Sequence, residues 1–434
     1  MNLRWTISGG ESNYILVSVA KIMVAGLAKQ KTAAPEPQRL MSLDALRGFD
    51  MFWILGADAF FYALHDVLPC APTKFLANEL DHAEWSGFHF YDLIFPLFIF
   101  MMGVSIVFSL TKIVEREGRL AAVGRVLRRG ILLVVIGLIY SGGFTNPWPD
   151  MRLMGVLVRI GLCYTFGGLL FCFFRTRALI TISLLLLLGY WALLALVPFP
   201  DVRPTPGGNA IITKEAGFTN VMQLNMGSTN LLRGSYIQGV NLTDYLDQKY
   251  LPGRKYDGTY DPEGILSTMP AVVTALLGIF AGLFVHNRVV PGREKVLWLI
   301  GTGAAGVALG FLWGVEFPVI KKIWTSSYVL VAGGCSVFLL GVFYWIVDVK
   351  KYQTWCQPFV WIGMNPIALY LISNFLGGLG YHKLATRLAG GSVKNFFDAR
   401  VAAGFGELLT SAISVALFLW LANFLYRRKI FIRL

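Results

Sequence analysis

Residues 92–111 read DLIFPLFIFMMGVSIVFSLT, and this run of apolar side chains is the clearest of several that decide the fold. Its only charged residue is Asp92. A helix of about 20 apolar residues spans the hydrocarbon core of a bilayer. Similar runs recur along most of the 434 residues, the mean hydropathy is +0.60, and only 15% of the residues are charged, against roughly 25% in soluble domains. The sequence therefore predicts an all-α fold, a polytopic bundle of transmembrane helices.

We predict about eleven spans from the runs that approach this length. They cover 13–28, 46–64, 92–111, 127–142, 153–174, 178–198, 265–286, 295–314, 325–347, 358–376 and 403–425. The first is short and contains Lys21, so a signal-like anchor is the alternative to a true span. Residues 1–38 are then a weak span and a cytoplasmic linker, and residues 39–434 are the membrane domain. Its one long connection, 199–264, is predicted to be a lid or part of a binding cleft on the outer face.

The basic residues lie in alternate connections between these spans, and 38 Lys and Arg against 25 Asp and Glu give a net charge of +13. Cytoplasmic loops of membrane proteins carry the excess of Lys and Arg. This rule places the N-terminus outside, the C-terminus in the cytoplasm and loop 65–91 outside. Topology and anionic lipid head groups account for the charge, so no nucleic-acid partner is expected. The five cysteines and five histidines show no metal-ligand spacing, so no metal is expected.

The segment 81–92, DHAEWSGFHFYD, lies at the outer mouth of a predicted span. An unperturbed imidazole titrates near neutral pH, so His82 can take up and release a proton in one turnover. Asp58, near the outer end of the preceding span, and Asp92 are expected to form one polar cluster with His82, in which a carboxylate orients the ring. A helix N-cap, favoured by the helix dipole, is the alternative role for Asp92.

Several motifs resemble those of one family. RLMSLDALRG at 39–48 is similar to the R-x-x-S-(L/V)-D-x-x-R-G pattern of broad groups of membrane acyltransferases. HAEWSG at 82–87, followed by DLIFPLFIFMMG at 92–103, is more specific and resembles the heparan-alpha-glucosaminide N-acetyltransferase family, including its bacterial members. Further similar stretches follow in the family's order at 155–161, 260–266, 324–329 and 358–365. The resemblance covers roughly residues 39–430.

The resemblance implies a multispanning enzyme that uses cytosolic acetyl-CoA to acetylate the amino group of a terminal glucosamine on the other side of the membrane. The family's active histidine falls on His82, and the aspartate ten residues later falls on Asp92. Where the animal enzyme carries an asparagine in the preceding span, this chain has Asp58, which leaves the acceptor open. The expected location is the inner membrane of a bacterium, with the active site facing the periplasm.

Acetyl-CoA has an anionic nucleotide end, which is expected at the cytoplasmic face, and a long neutral arm that would thread between helices. Arginine binds phosphates through a fork of donors. The expected phosphate-binding residues are Arg125, Arg128, Arg129 and Arg175. The residues expected to line the arm's tunnel or to bond the thioester carbonyl are Arg159, Ser326 and Asn365. Hydrogen bonds between helices are the alternative role for these three.

The amino-sugar acceptor is expected to bind to the outer loops. Trp85 and Tyr260 are candidates for stacking on a sugar ring, and Asp261 and Glu263 are candidates for bonding its hydroxyls or an ammonium. The chemistry also needs a base. We favour direct transfer with His82 as that base, and an acetyl-histidine intermediate is the alternative.

Three other functions remain open from the sequence. A glycan or lipid-linked-sugar transporter or flippase would use the same charges as a proton relay. An O-acetyltransferase of the related broad family would modify a hydroxyl. In a non-catalytic scaffold, His82 would contribute to stability alone. Membrane lipids are expected partners. The glycines that allow close helix contact, within one protomer or in a homodimer, are Gly301, Gly303, Gly306 and Gly310.

Overall fold

The structure, a computed structural model, describes residues 40–203, 228–375 and 381–432, and the predicted first span lies outside them. These residues are mostly helical. The helices are α1 Met41–Phe52, α2 Asp58–Val67, α3 Ala71–Glu79, α4 Phe90–Glu117, α5 Arg119–Tyr140, α6 Val156–Phe173, α7 Thr176–Leu196, α8 Leu242–Tyr250, α9 Thr268–His286, α10 Gly292–Gly314, α11 Ser326–Phe343, α12 Gln357–Gly363, α13 Pro366–Phe375, α14 Tyr381–Ala389, α15 Ser392–Arg400 and α16 Phe405–Arg427. Two small antiparallel sheets pair β1 Phe199–Pro200 with β2 Leu231–Leu232, and β3 Tyr236–Ile237 with β4 Val240–Asn241.

Seven of the described helices are long and apolar enough to cross a membrane. They are α4, α6, α7, α9, α10, α11 with its π-helical continuation Tyr344–Val349, and α16. The protein is therefore an integral membrane protein built from helices. The predicted total number of spans and the orientation of the termini stay predictions, because helix length and composition do not give a direction across the membrane.

The predicted span 46–64 is not one regular helix. It consists of α1 and α2 with a π-helical turn, Trp53–Ala57, between them, in which Gly56 has a φ of 109°. Glycine adopts this conformation readily because it has no Cβ. π-Helical turns are often found at functional sites. Here the turn comes immediately before Asp58, the first residue of α2.

The predicted span 358–376 is also interrupted. Helix α13 begins at Pro366, whose ring cannot continue the backbone hydrogen bonding of the preceding helix. Asn365 lies in the interruption, where its Nδ2 donates to the Ile430 carbonyl oxygen and its Oδ1 accepts the Ile432 backbone N–H, both at 2.9 Å. The interruption therefore ties the last described residues of the chain to the bundle.

Helix α4 lies in the interior of the bundle, since 67% of its most apolar stretch is buried, against 22% in α10. It packs closely on α9 where a glycine from each helix meets the other backbone. A Cβ on Gly103 would lie 2.1 Å from the Ala275 carbonyl oxygen, and a Cβ on Gly278 would lie 2.0 Å from the Phe100 carbonyl oxygen. Small residues let membrane helices approach in this way.

Glycines also bring α10 against α11 within the same chain. A Cβ on Gly303 or on Gly310 would lie 2.6 Å from a backbone nitrogen of α11, and one on Gly306 would lie 3.2 Å from the Cα of Gly334. Nothing lies within 4 Å of a Cβ on Gly301. Three of the four glycines singled out in the sequence thus serve a contact inside one protomer, and the homodimer stays a prediction.

The described part of the long connection 199–264 folds into α8 and the two small sheets. Asn241 starts α8, because its side chain accepts a backbone N–H of the first turn at 2.9 Å. The indole N–H of Trp85 donates to the Tyr236 carbonyl oxygen at 2.7 Å. The connection therefore lies against the segment that carries His82.

Replacing Gly278 by alanine should destabilise the protein by about 2–3 kcal/mol, because the added methyl group would overlap the Phe100 carbonyl oxygen and force α4 and α9 apart. Gly301→Ala is the matched control, since the space around Gly301 is open, and alanine there should be neutral or slightly stabilising. Thermal unfolding in detergent, followed by circular dichroism, measures both variants. Equal stability of the two would contradict the close contact between α4 and α9.

Candidate active site

His82 and Asp92 form a hydrogen-bonded pair at the start of α4. His82 Nδ1 lies 2.9 Å from Asp92 Oδ1. The Asp92 side chain is 1% exposed and that of His82 is 50% exposed. The carboxylate is thus held inside the protein while the imidazole remains open to a substrate.

Asp92 also caps the first turn of α4. Its Oδ2 accepts the backbone N–H groups of Ala83, at 3.2 Å, and His89, at 3.1 Å. The two roles that the sequence offers as alternatives, helix cap and ring orientation, are combined in one carboxylate. Hydrogen-bond donors on both oxygens favour the ionised form. Because ionised Asp92 can only accept, His82 donates Nδ1–H to it, which leaves the ring's lone pair on Nε2.

Asp58 approaches this pair through a tyrosine. The Tyr91 hydroxyl donates to Asp58 Oδ2 at 3.1 Å. The Tyr91 ring lies against the His82 imidazole, with the ring centroids 4.9 Å apart. The three residues predicted as a cluster therefore lie at one mouth, with Tyr91 between Asp58 and His82.

Lys321 reaches the same pair, and it is not among the site residues predicted from the sequence. Its Nζ lies 3.3 Å from Asp92 Oδ1, 3.0 Å from His82 Nδ1 and 3.3 Å from His82 Nε2. Burial lowers the pKa of Lys321, and the Asp92 carboxylate opposes this effect. One signal was present in the sequence: Lys321 and Lys322 lie in a predicted outer loop, where the positive-inside rule expects few cations.

Two loops meet to bring Lys321 to this position. Gly87 donates its backbone N–H to the Val319 carbonyl oxygen at 2.9 Å, and Ser86 pairs with Ile320 in an antiparallel bridge. Gly87 has a φ of 132°, a conformation that residues with side chains rarely adopt. The loop before α4 and the turn before α11 are therefore joined through their backbones.

The two aromatic residues predicted to stack on a sugar differ in exposure. Trp85 is partly exposed. Tyr260 is fully buried, with its ring centroid 6.2 Å from that of Trp85, and its hydroxyl accepts a hydrogen bond from Gln238 Nε2 at 2.8 Å. Trp85 therefore offers ring surface to a ligand, whereas Tyr260 supports Trp85 from within the protein.

Asp261 and Glu263 are held by Arg152, which is also absent from the site residues predicted from the sequence. Arg152 donates from Nε and Nη2 to the two oxygens of Asp261, at 2.9 Å each, and from Nη2 to Glu263 Oε2 at 2.7 Å. Burial and then the Asp261 carboxylate raise the pKa of Glu263 to about 7. Acceptor recognition by the two carboxylates stays a prediction, and the cation that they bind in this structure is Arg152.

The predicted phosphate-binding arginines lie near the opposite end of the helices from His82. Three are in the first half of α5, with Arg129 near its middle, and one precedes α7. Helix α4, 28 residues and so roughly 40 Å long, leads from Asp92 to the connection with α5. Arg129 donates to the Tyr164 hydroxyl at 3.5 Å. The exposed members are Arg125, Arg128 and Arg175.

The three residues predicted to line the arm's tunnel contact other protein groups. Ser326 Oγ donates to a backbone carbonyl of α7 at 2.8 Å, and Asn365 binds the C-terminal residues as described above. Arg159 is fully buried, and its Nη2 donates to the Gly264 carbonyl oxygen at 3.2 Å and to Ser267 Oγ. Its Nε and Nη1 have no hydrogen-bond partner among the described residues. Of the three, Arg159 thus retains donors for a ligand.

The chain is similar in sequence to known proteins. Residues 39–204 match the sequence model of a family described as heparan-alpha-glucosaminide N-acetyltransferase, catalytic. The heparan-alpha-glucosaminide N-acetyltransferase of Homo sapiens is 28% identical over 447 residues, which cover 91% of this chain and 60% of that protein. The protein of the same name from Mus musculus is 27% identical over 396 residues, which cover 81% and 56%. This chain is similar to these acetyltransferases over most of its length.

The resemblance predicted from the motifs is thereby confirmed. The chain spans about 60% of the length of the human acetyltransferase and 56% of the mouse one. His82, Asp92 and Asp58 lie within the matched range 39–204, whereas Lys321 lies beyond it. The histidine and its carboxylate partner therefore belong to the part of the chain that is similar to the family's catalytic region.

The protein should lose stability as the pH rises from about 4.5 to about 7. Glu263 keeps its proton up to a pKa of about 7 in the folded protein, against 4.5 as its ordinary value, so the folded state binds more protons in this window. Glu263→Gln should reduce the pH dependence, and Glu117→Gln, at an exposed position, should not. Thermal unfolding at about pH 5 and about pH 7.5 provides the comparison. An unchanged slope in Glu263→Gln would show that this carboxyl is not responsible.

Proposed function

We propose that the protein transfers the acetyl group of acetyl-CoA to the amino group of an amino sugar, with a terminal glucosamine as the acceptor class. The observation that carries the proposal is the pair of His82 and Asp92, a half-exposed imidazole oriented by a buried carboxylate. Acetyl transfer to an amine needs a base of this kind. The names of the two relatives and of the matched family support the reaction and the acceptor class.

In this proposal His82 acts as a general base. As the amine nitrogen attacks the thioester carbonyl carbon, its proton passes to His82 Nε2, and Asp92 stabilises the resulting imidazolium. The bond between carbon and sulfur then breaks, and the CoA thiolate takes up the proton that His82 releases. The products are the N-acetyl sugar and CoA. Direct transfer needs no acetyl-imidazole intermediate, and an acetyl-histidine formed at the same Nε2 is the alternative scheme.

The donor and the acceptor would approach from opposite ends of the bundle. The arginines in the first half of α5 and before α7 would bind the phosphates of CoA through their forked donors. The positive-inside rule assigns that end to the cytoplasm and the His82 end to the outside, which is the periplasm for a bacterial inner membrane. The arm of acetyl-CoA would then run along the bundle, where Arg159 offers two unpartnered donors to the thioester.

The acceptor would bind at the mouth that holds His82. The indole N–H of Trp85 is engaged by the Tyr236 carbonyl oxygen, so the orientation of its ring is fixed. An aromatic ring that is fixed and partly exposed suits stacking on the apolar face of a sugar. The buried Tyr260 ring supports Trp85 from behind.

Substituting His82 by alanine should reduce acetyl transfer by about 10²–10⁴-fold, which is the usual contribution of a general base. Purified protein in liposomes, radiolabelled acetyl-CoA and glucosamine provide the assay, with label on the sugar nitrogen as the readout. His382→Ala is the matched control and should be as active as wild type, because His382 lies in α14 and its acidic neighbour is Glu407.

Each other outcome of this assay excludes part of the proposal. Equal transfer by wild type and His82→Ala would contradict His82 as the base. Label on a hydroxyl oxygen would make the protein an O-acetyltransferase. Saturable binding of acetyl-CoA without transfer would contradict glucosamine as the acceptor, and the loss of both binding and transfer would favour a sugar transporter.

Two aspartate-to-asparagine variants should differ in activity. Asp92→Asn removes the charge that orients the His82 ring and stabilises the imidazolium, so transfer should fall by at least about 10²-fold. Asp58→Asn keeps an oxygen that can accept the Tyr91 hydroxyl, and a neutral hydrogen bond contributes about 1 kcal/mol, so transfer should fall by less than about tenfold. The same assay measures both, and similar losses would show that Asp58 acts in the chemistry directly.

A further inference from the structure

A third charged group contacts the pair of His82 and Asp92. Lys321 Nζ lies within 3.3 Å of Asp92 Oδ1 and of both ring nitrogens of His82. We propose that Lys321 is a positioning residue that keeps the His82 imidazole uncharged, because its ammonium neutralises Asp92 and opposes a second positive charge on the ring. The inference rests on the proposed function only in treating His82 as a base.

The balance of charges at the pair is the first argument. A charged Lys321, an ionised Asp92 and a neutral ring sum to zero. Protonation of the ring would place a second positive charge 3.0 Å from the ammonium. The single carboxylate of Asp92 would then have to neutralise both. Like charges at this distance disfavour the added proton, whereas the carboxylate alone would favour it. Lys321 therefore opposes the effect that the Asp92 carboxylate alone would have on the ring.

The contact between Lys321 and the ring acts mainly through charge. The N–H and the lone pair of a neutral imidazole lie in the ring plane and point away from each other. One ammonium that is 3.0 Å from Nδ1 and 3.3 Å from Nε2 cannot lie along both directions. Asp92 Oδ1, at 3.3 Å, is the acceptor for its N–H groups. The lone pair of His82 Nε2 therefore stays open to the amine of an acceptor.

The turn before α11 fixes the backbone of Lys321. Thr325 Oγ1 donates to the Pro318 carbonyl oxygen at 2.8 Å and accepts the Ile320 backbone N–H at 3.0 Å. Trp324 is buried and has a φ of 51°, a left-handed conformation that costs roughly 1–3 kcal/mol and persists only where the surroundings impose it. Because these contacts fix the backbone of the turn, they place the Lys321 side chain next to His82 and Asp92.

Other titratable groups face His82 and Lys321 at longer range or through the backbone. Asp81 Oδ1 accepts the His82 backbone N–H at 2.8 Å, and the Tyr91 ring separates His82 from Asp58. On the side of Lys321 the neighbouring charges are Glu263 and Lys322, of which Lys322 binds Asp257 at 2.8 Å. Among the described residues, Asp92 and Lys321 are the charged groups within hydrogen-bond distance of the ring nitrogens. These two are therefore the charged groups nearest to the ring, and Lys321 is the one that the test changes.

The test measures the charge of His82 without any catalysis. Diethyl pyrocarbonate reacts with neutral imidazole, and mass spectrometry of the peptide that contains His82 gives the reaction rate at each pH. The half-exposed side chain is open to the reagent. Lys321→Met should move the pH of half-maximal reaction upward by about 1 unit, because the opposing charge is removed and Asp92 remains. Lys321→Arg, which keeps the charge, should retain the wild-type midpoint.

Lys322→Met is the matched control, since it removes the same charge from the adjacent residue, which binds Asp257. Its midpoint should equal that of wild type. An unchanged midpoint in Lys321→Met, or an equal shift in Lys322→Met, would overturn the proposal. If the methionine variant does not fold, Lys321→Gln serves as the neutral variant, with the same expected shift.

The pH dependence of kcat/KM tests the role of Lys321 separately from the proposed function. Where acetyl transfer is found, the acid limb of kcat/KM should move upward in Lys321→Met by the same amount as the chemical midpoint, and Lys321→Arg should restore it. Where no acceptor is found, the modification experiment still decides the role of Lys321. A shifted midpoint without transfer would therefore contradict the proposed acceptor alone.

Discussion

The carboxylate of Asp92 is the group on which the mouth of this protein depends. It accepts two backbone N–H groups at the start of α4, it accepts the His82 Nδ1–H, and it binds the ammonium of Lys321. An ionised carboxylate that is 1% exposed is costly unless donors surround it. Its donors come from the loop before α4 and from the turn before α11. One buried charge therefore fixes the helix start, the orientation of the His82 imidazole and the junction of two distant loops.

The packing of the helices decides where that charge lies. The close contact of Gly103 and Gly278 holds α4 against α9, so the first turn of α4 cannot shift without separating the two helices. Regular helices supply this frame, and the polar groups are placed where a helix is irregular. The left-handed Gly56 comes just before Asp58, which then meets Tyr91 from the first turn of α4. The mouth is thus built from helix ends and one interruption, on a frame held by glycine contacts.

The sequence predicts the parts of this arrangement that are local. The apolar runs predict the membrane class and the helical fold, and a spacing of ten residues across one helix start brings His82 to Asp92. Lys321 is 239 residues from His82, and its approach depends on a backbone bridge between two loops. The spacing of apolar residues in the sequence does not indicate such a bridge. A polar residue in an apolar run, such as Ser326, is compatible with ligand binding and with an interhelical bond alike. The interruption at Gly56 escapes prediction because a single glycine is also tolerated in a regular helix.

The charges around the mouth also bear on the acceptor. Lys321 binds Asp92 and also interacts with the charge of Glu263, which in turn binds Arg152. Positive and negative side chains therefore alternate around the mouth. Since the pKa of Glu263 is about 7, this group gains one negative charge as the pH passes neutrality. A cationic amine that enters the mouth would meet the ammonium of Lys321 at the same carboxylate. The two like charges would compete for Asp92, so Lys321 disfavours the ammonium form of the acceptor, whereas the neutral amine is the form that can attack the thioester. Under the proposed function, the charges of the mouth therefore suit an acceptor amine that binds in its neutral form.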